Sequence, residues 1–233
     1  MKRLLFLAVA ALMSAACCQT SNSEAEAVDN VIMSRRSIRN YKQIPVSRDT
    51  MQVILKAGIN APNGQNRQSW EIRVVDNPDT MSEIKAAMSA ANPDVPMAGD
   101  SFRNAPVMAF IAADTSYDFS LLDCGMLSEN MVLSAWSMGV GSICLGSPVR
   151  FLDGSESIRS NPEIRKVMDK LGFSEGYQLV LCVGFGYPLE SPDAKPRDES
   201  KFRFVDEFPS LHKGSFCKNG LFREIFCRFE IIF

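Results

Sequence analysis

Ser34-Arg35-Arg36-Ser37-Ile38-Arg39-Asn40-Tyr41 is the stretch around which the chain is organised. Three guanidinium groups and two serine hydroxyls fall within residues 34–39, directly after an apolar helical turn of Val28, Val31 and Ile32. Arginine presents a planar fork of donors that matches phosphate oxygens, and each hydrogen bond to a charged group is worth roughly 1.5–3 kcal/mol. A helix end carrying such a cluster can hold a phosphorylated ligand. A short basic run is more often only a solvated face, so the segments that follow decide between the two readings.

Outward from that stretch, the apolar periodicity alternates between helix and strand. Ser47 caps a helix over 48–60, in which Met51, Ile54, Leu55 and Gly58 recur at helical spacing before Pro62-Asn63-Gly64 ends it. Residues 70–75 alternate as a strand, and Thr80 with Glu83 has the spacing of a capping box for a helix reaching residue 91. After a loop over 92–99 comes a continuous apolar strand, 107–112. Residues 121–138 are apolar almost all round, which predicts a central helix buried on more than one face. A short strand at 142–145 delivers Gly146. Asn161, Pro162 and Gly172 supply the cap, first position and stop of a helix over 162–171. The stretch from Tyr177 to Pro188 is the most strand-like of all. Helices outnumber strands, so an α+β domain with one sheet covered by helices is expected. No G-x-G-x-x-G joins a strand to a helix, and a Rossmann nicotinamide site is not indicated.

The 233 residues, 46% hydrophobic and 22% charged with net charge −2, describe an ordinary globular chain with one domain as the default. Nothing in that balance points to a general nucleic-acid binder. At the N-terminus Met1-Lys2-Arg3 precedes an apolar run over 4–13 and then Ser14-Ala15-Ala16-Cys17-Cys18. A short positive region, an apolar core too short to span a bilayer permanently and small residues before a cut describe an export signal over 1–16. It resembles a bacterial lipoprotein signal, with Cys17 a better candidate for lipidation than Cys18 and the cell envelope as the implied location. Residues 17–27 read as a flexible tether. Cys124, Cys144, Cys182, Cys217 and Cys227 show no C-x-x-C spacing and read as buried residues. With His212 the only histidine, a histidine triad or multi-histidine metal site is hard to build, and the chemistry falls to a cofactor.

Two further segments join the opening one. Ala61-Pro62-Asn63-Gly64-Gln65-Asn66-Arg67-Gln68-Ser69-Trp70 puts side-chain amides in a loop before a strand, and Lys195-Pro196-Arg197 follows the exit Gly186-Tyr187-Pro188. Together and in this order they resemble the FMN-dependent nitroreductase family, whose chains run R-R-S-x-R-x-[FY], then A-P-[ST]-x-x-N-x-Q-P-W, then G-[YF]-P and K-x-R. Phe102-Arg103-Asn104-Ala105-Pro106 matches the stretch before that family's second strand. The resemblance spans about 28–197, within a domain placed at 28–200. Gly64 and Gln65 depart from the family's loop, Ser69 stands where it has proline, and the tail 201–233 exceeds its usual end.

The resemblance implies a mainly antiparallel sheet and a homodimer with the long central helix at its interface. It implies that Arg35, Lys195 and Arg197 hold the FMN phosphate, with Arg36 and Ser37 at the phosphate or ribityl chain. Arg39 would lie at the flavin's pyrimidine edge with Asn66, Gln68 would be a further cofactor contact, and the backbone of Leu145 and Gly146 would face N5. NAD(P)H and a nitroaromatic, quinone or similar small oxidant would use one pocket in turn. An exported enzyme meets little reduced nicotinamide, so either the donor differs or the N-terminal reading gives way. Reductive dehalogenation or flavin destruction on the same fold, and a noncatalytic flavin-binding surface lipoprotein, are the other readings.

Overall fold

The computed structural model describes residues 23–205, which fall into two compact units divided between Ala194 and Lys195. Cys17, Cys217, Cys227, His212 and the expected signal lie outside the described residues. Within the first unit, strands β1 (Trp70–Val75), β2 (Val107–Asp114), β3 (Gly141–Leu145) and β4 (Tyr177–Gly186) form one sheet in the order β1-β2-β4-β3, every pair antiparallel.

β2 shows why both faces of this sheet are covered. Its residues from Val107 to Ala113 are all buried, and their alternation sends Met108 and Phe110 to one core and Val107, Ala109, Ile111 and Ala113 to the other. On the first face pack α3 (Pro78–Ala91), α5 (Ser147–Leu152) and α7 (Pro162–Leu171), with Phe102 edge-on to Phe110 at 5.8 Å. On the second lie α2 (Arg48–Ile59), through Met51 and Ile54, and α4 (Ser120–Ser137), through Cys124, Leu127, Met131, Val132 and Ala135. Ser47 caps α2, and Asn161, Pro162 and a left-handed Gly172 at φ 64 bound α7, as expected.

Four expectations need correction. The cap of α3 is Asn77, whose Oδ1 accepts the Thr80 N–H at 2.9 Å, with Pro78 following it. Glu83 is engaged elsewhere, with Lys166 at 3.6 Å and Lys170 at 2.5 Å on α7. Residues 23–27, expected at the end of a tether, begin helix α1 over 23–34. α4 buries one stripe and leaves Leu121 and Leu122 exposed within this chain. Of the described cysteines Cys124 and Cys182 are buried but Cys144, on the edge strand β3, is exposed.

Candidate functional site

The Ser34–Tyr41 stretch is fixed by α4 on one side and the sheet edge on the other. α1 ends at Ser34, whose Oγ accepts the indole N–H of Trp136, in the last turn of α4, at 2.8 Å. Arg35 Nε stands 4.0 Å from Glu129 Oε1, with the Arg35 side chain 23% exposed. A pair at that separation spends little of the guanidinium's donor capacity. Arg36 donates to the Met33 and Arg35 carbonyls, both at 2.8 Å, and so closes the C-terminus of α1. Ser37 bridges to Ser142 on β3, and the Ile38 N–H donates to the Ser142 carbonyl at 2.9 Å. Ile38 is fully buried against Gly141, where a Cβ would meet it at 2.7 Å.

Beyond Ile38 the chain turns its charge outward. Arg39 is exposed, and Glu190 Oε1 accepts the backbone N–H of Arg39 and that of Asn40, the latter at 3.1 Å. Arg39 Nη1 donates to the Ser37 carbonyl at 3.2 Å. Tyr41 is buried and donates to the Ile38 carbonyl at 2.7 Å. Burial first and the Glu190 carboxylate second push its phenol pKa up, against the pull of Arg39, so it stays protonated. At the end of β3, desolvation and then Glu129 raise the Cys144 thiol, with Arg35 opposing. Arg35, Glu129 and Cys144 therefore share one electrostatic neighbourhood beside Leu145 and Gly146. Gly146 is exposed at φ −86 with open space around it, so the single chain does not require glycine there.

The amide loop occupies a different place. Asn66 and Gln68 are exposed and hold φ of 54 and 50, with Gln65 at 56. The Gln68 N–H donates to Asn63 Oδ1 at 3.0 Å, and the Arg67 guanidinium lies 4.6 Å over the Tyr117 ring. The loop is tied to Asp123 in the first turn of α4. At about 100° and 1.5 Å per residue, Asp123 lies about 20 Å from Trp136 along the helix, and about 120–140° round from Glu129 and Trp136. The structure thus brings Arg35 and Ser37 alongside β3, with Arg39 following them in the chain, and sets Asn66 and Gln68 on another face of α4. Lys195 and Arg197 belong to the second unit, whose 3₁₀ turn Glu199–Lys201 is capped by Asp198 accepting from Ser200 at 3.0 Å.

A cavity of about 410 Å³ lies elsewhere, lined by Gln43, Val46, Met81, Lys85 and Val107 among others, and includes none of the expected residues. Sequence reasoning missed Asp123, Glu129 and Glu190. The one available signal was an aspartate at the start of an otherwise apolar helix.

The fold has known relatives. The model for the nitroreductase family matches residues 32–187. A crystal structure of a nitroreductase with bound FMN from Desulfitobacterium hafniense DCB-2 is 29% identical, covers 77% of this chain and 98% of its own, and superposes with a TM-score of 0.68. Another with bound FMN, from Bacteroides fragilis NCTC 9343, shares the fold at a TM-score of 0.66, 24% identity, and 77% and 98% coverage. An NADPH-flavin oxidoreductase of Vibrio harveyi is 25% identical over 175 residues, 71% of this chain and 68% of that protein.

Proposed function

The chain belongs to the nitroreductase family, and on that premise we propose an FMN-dependent oxidoreductase that takes hydride from NAD(P)H and passes it to nitroaromatic, quinone or similar small acceptors. The observation that carries this reading is the Arg35–Arg39 cluster, anchored between α4 and β3 inside the matched span with its guanidinium groups largely unspent.

The residues present fit the cofactor. Arg35, Arg36 and Ser37 would hold its phosphate and ribityl chain. Arg39, Asn66 and Gln68 would take the polar ring edge, and the Leu145–Gly146 backbone would lie beside the ring. Ser142 Oγ, at the bridge to Ser37, is buried with no hydrogen-bond partner among the described residues, a state buried hydroxyls rarely keep. When bound, FMN supplies a two-electron hydride acceptor and donor. Arg39, its backbone held by Glu190, would offer positive charge to the polar ring edge, where negative charge would develop.

The working form on this reading is a homodimer. One chain presents its two half-sites on different faces of α4, so a second copy is needed to bring them together. Exposed Phe119, Leu121 and Leu122 at the start of α4, and Val28, Ile32 and Met33 on α1, supply apolar surface to bury between copies. The sequence of residues 1–17 alone supports export to a bacterial envelope and lipid attachment at Cys17. Among the described residues no helix is long and apolar enough to cross a membrane.

Steady-state kinetics with varied NAD(P)H and a quinone acceptor test the reaction. Parallel double-reciprocal lines from a species of dimer mass by light scattering are expected. Intersecting lines would overturn the one-pocket mechanism, and a monomer mass for FMN-loaded protein would overturn the shared site.

A further inference from the structure

Asp123 is 1% exposed, and both of its carboxylate oxygens are spent on one loop. Oδ1 accepts the Gly64 N–H at 3.0 Å and Oδ2 accepts the Ser69 hydroxyl at 2.9 Å. A single side chain therefore joins the first and last residues of segment 64–69. Between those ties Gln65, Asn66 and Gln68 all stand in the left-handed region, which non-glycine residues keep only where their surroundings over-determine it. The carboxylate sits in the first turn of α4, near that helix's positive end. The Ser69 hydroxyl is the donor of the second tie, and an alanine at that position would have nothing to donate.

We propose that Asp123 is the positioning residue of the amide loop: it clamps segment 64–69 so that Asn66 and Gln68 present their amides to the ligand, and it governs cofactor affinity through Asn66 without touching the cofactor. The second half of this inference rests on the flavin reading above. The first half concerns the loop alone.

The test uses the full chain and four variants. Asp123→Asn keeps both contacts, since its Oδ1 can accept from Gly64 and its Nδ2 can donate to Ser69. Asp123→Ala keeps neither. Ser69→Ala removes one bond and replaces Asp123→Ala if that variant fails to fold, and Asn66→Ala completes a double-mutant cycle. Hydrogen exchange on flavin-free protein and FMN dissociation constants from fluorescence quenching are the readouts. Asp123→Ala, or Ser69→Ala in its place, is expected to speed exchange across 64–69 and to weaken FMN binding by about tenfold or more, with Asp123→Asn within about threefold of wild type. In the Asn66→Ala background the same change should weaken binding no more than about twofold, because the two residues act as one unit. Unchanged exchange and unchanged affinity would overturn the inference, as would effects of Asp123 and Asn66 that simply multiply. If wild-type protein takes up no FMN, the flavin reading falls, and the exchange comparison alone decides for or against the clamp.

Discussion

A Cβ built on Gly64 would overlap the Tyr117 hydroxyl. The contact joins the amide loop to the segment before α4, where Tyr117 is also held beneath Arg67 and lies edge-on to Phe119 at 5.7 Å. Gly64→Ala should therefore move the half-buried ring, at a stability cost at or below the lower end of the roughly 1–3 kcal/mol of core overpacking. Adding Tyr117→Phe removes the overlapping atom and should restore most of that loss. Urea unfolding midpoints of the single and double variants are the check, and a double variant no better than Gly64→Ala would show that the strain lies elsewhere.

Arg48 at the start of α2 pairs with Asp76 after β1 through two bonds, at 2.6 and 2.9 Å. The hydrogen bond from Arg48 holds the Asp76 carboxyl below the ordinary aspartate value, with desolvation opposing it. A folded-state pKa below the unfolded one stabilises at pH values above the unfolded value, about 3.9, and the contribution is lost as pH falls through the folded value. Arg48→Gln should unfold at lower urea than wild type at pH 7. That gap should narrow as the pH drops below the aspartate range. A gap that persists unchanged there would place the effect of Arg48 outside its charge.

Arg39 and the Lys195/Arg197 pair should separate kinetically. A phosphate keeps its charge through turnover, so Lys195→Ala and Arg197→Ala should weaken FMN binding and leave reduction of the loaded enzyme near wild type. On the proposed reading, Arg39→Ala removes a charge that would face developing negative charge. Loss of one such contact costs about 2.7–4 kcal/mol of barrier at a buried oxyanion site, and exposed Arg39 should fall at or below the lower end. Stopped-flow reduction at saturating FMN decides, and a wild-type rate for Arg39→Ala would remove it from the chemistry.

What the sequence made legible was periodic or chemically redundant. β2 and β4 announced themselves as apolar runs, Asn161-Pro162 and Gly172 bounded α7 by local chemistry, and the Ser34–Tyr41 cluster stood out by charge. What stayed hidden depended on partners far along the chain. Thr80 and Glu83 have capping-box spacing, yet Asn77-Pro78 starts α3 one turn earlier and α7 claims Glu83 with two lysines. α5 and α6 (Glu156–Arg159), at six and four residues, are too short to show a period. Glu190 looks like any linker carboxylate until β4 returns it to the Arg39 backbone, 151 residues away in sequence. Nor could the sequence show that one chain sets Asn66 and Arg35 on different faces of α4.

The visible spectrum of the purified protein, recorded before and after anaerobic addition of NADH or NADPH, tests flavin-dependent oxidoreduction most directly. The expected result is a flavin band that bleaches on addition of nicotinamide, with FMN recovered in the supernatant after heating. Recovery of FAD, or no flavin even after reconstitution with FMN, would contradict it.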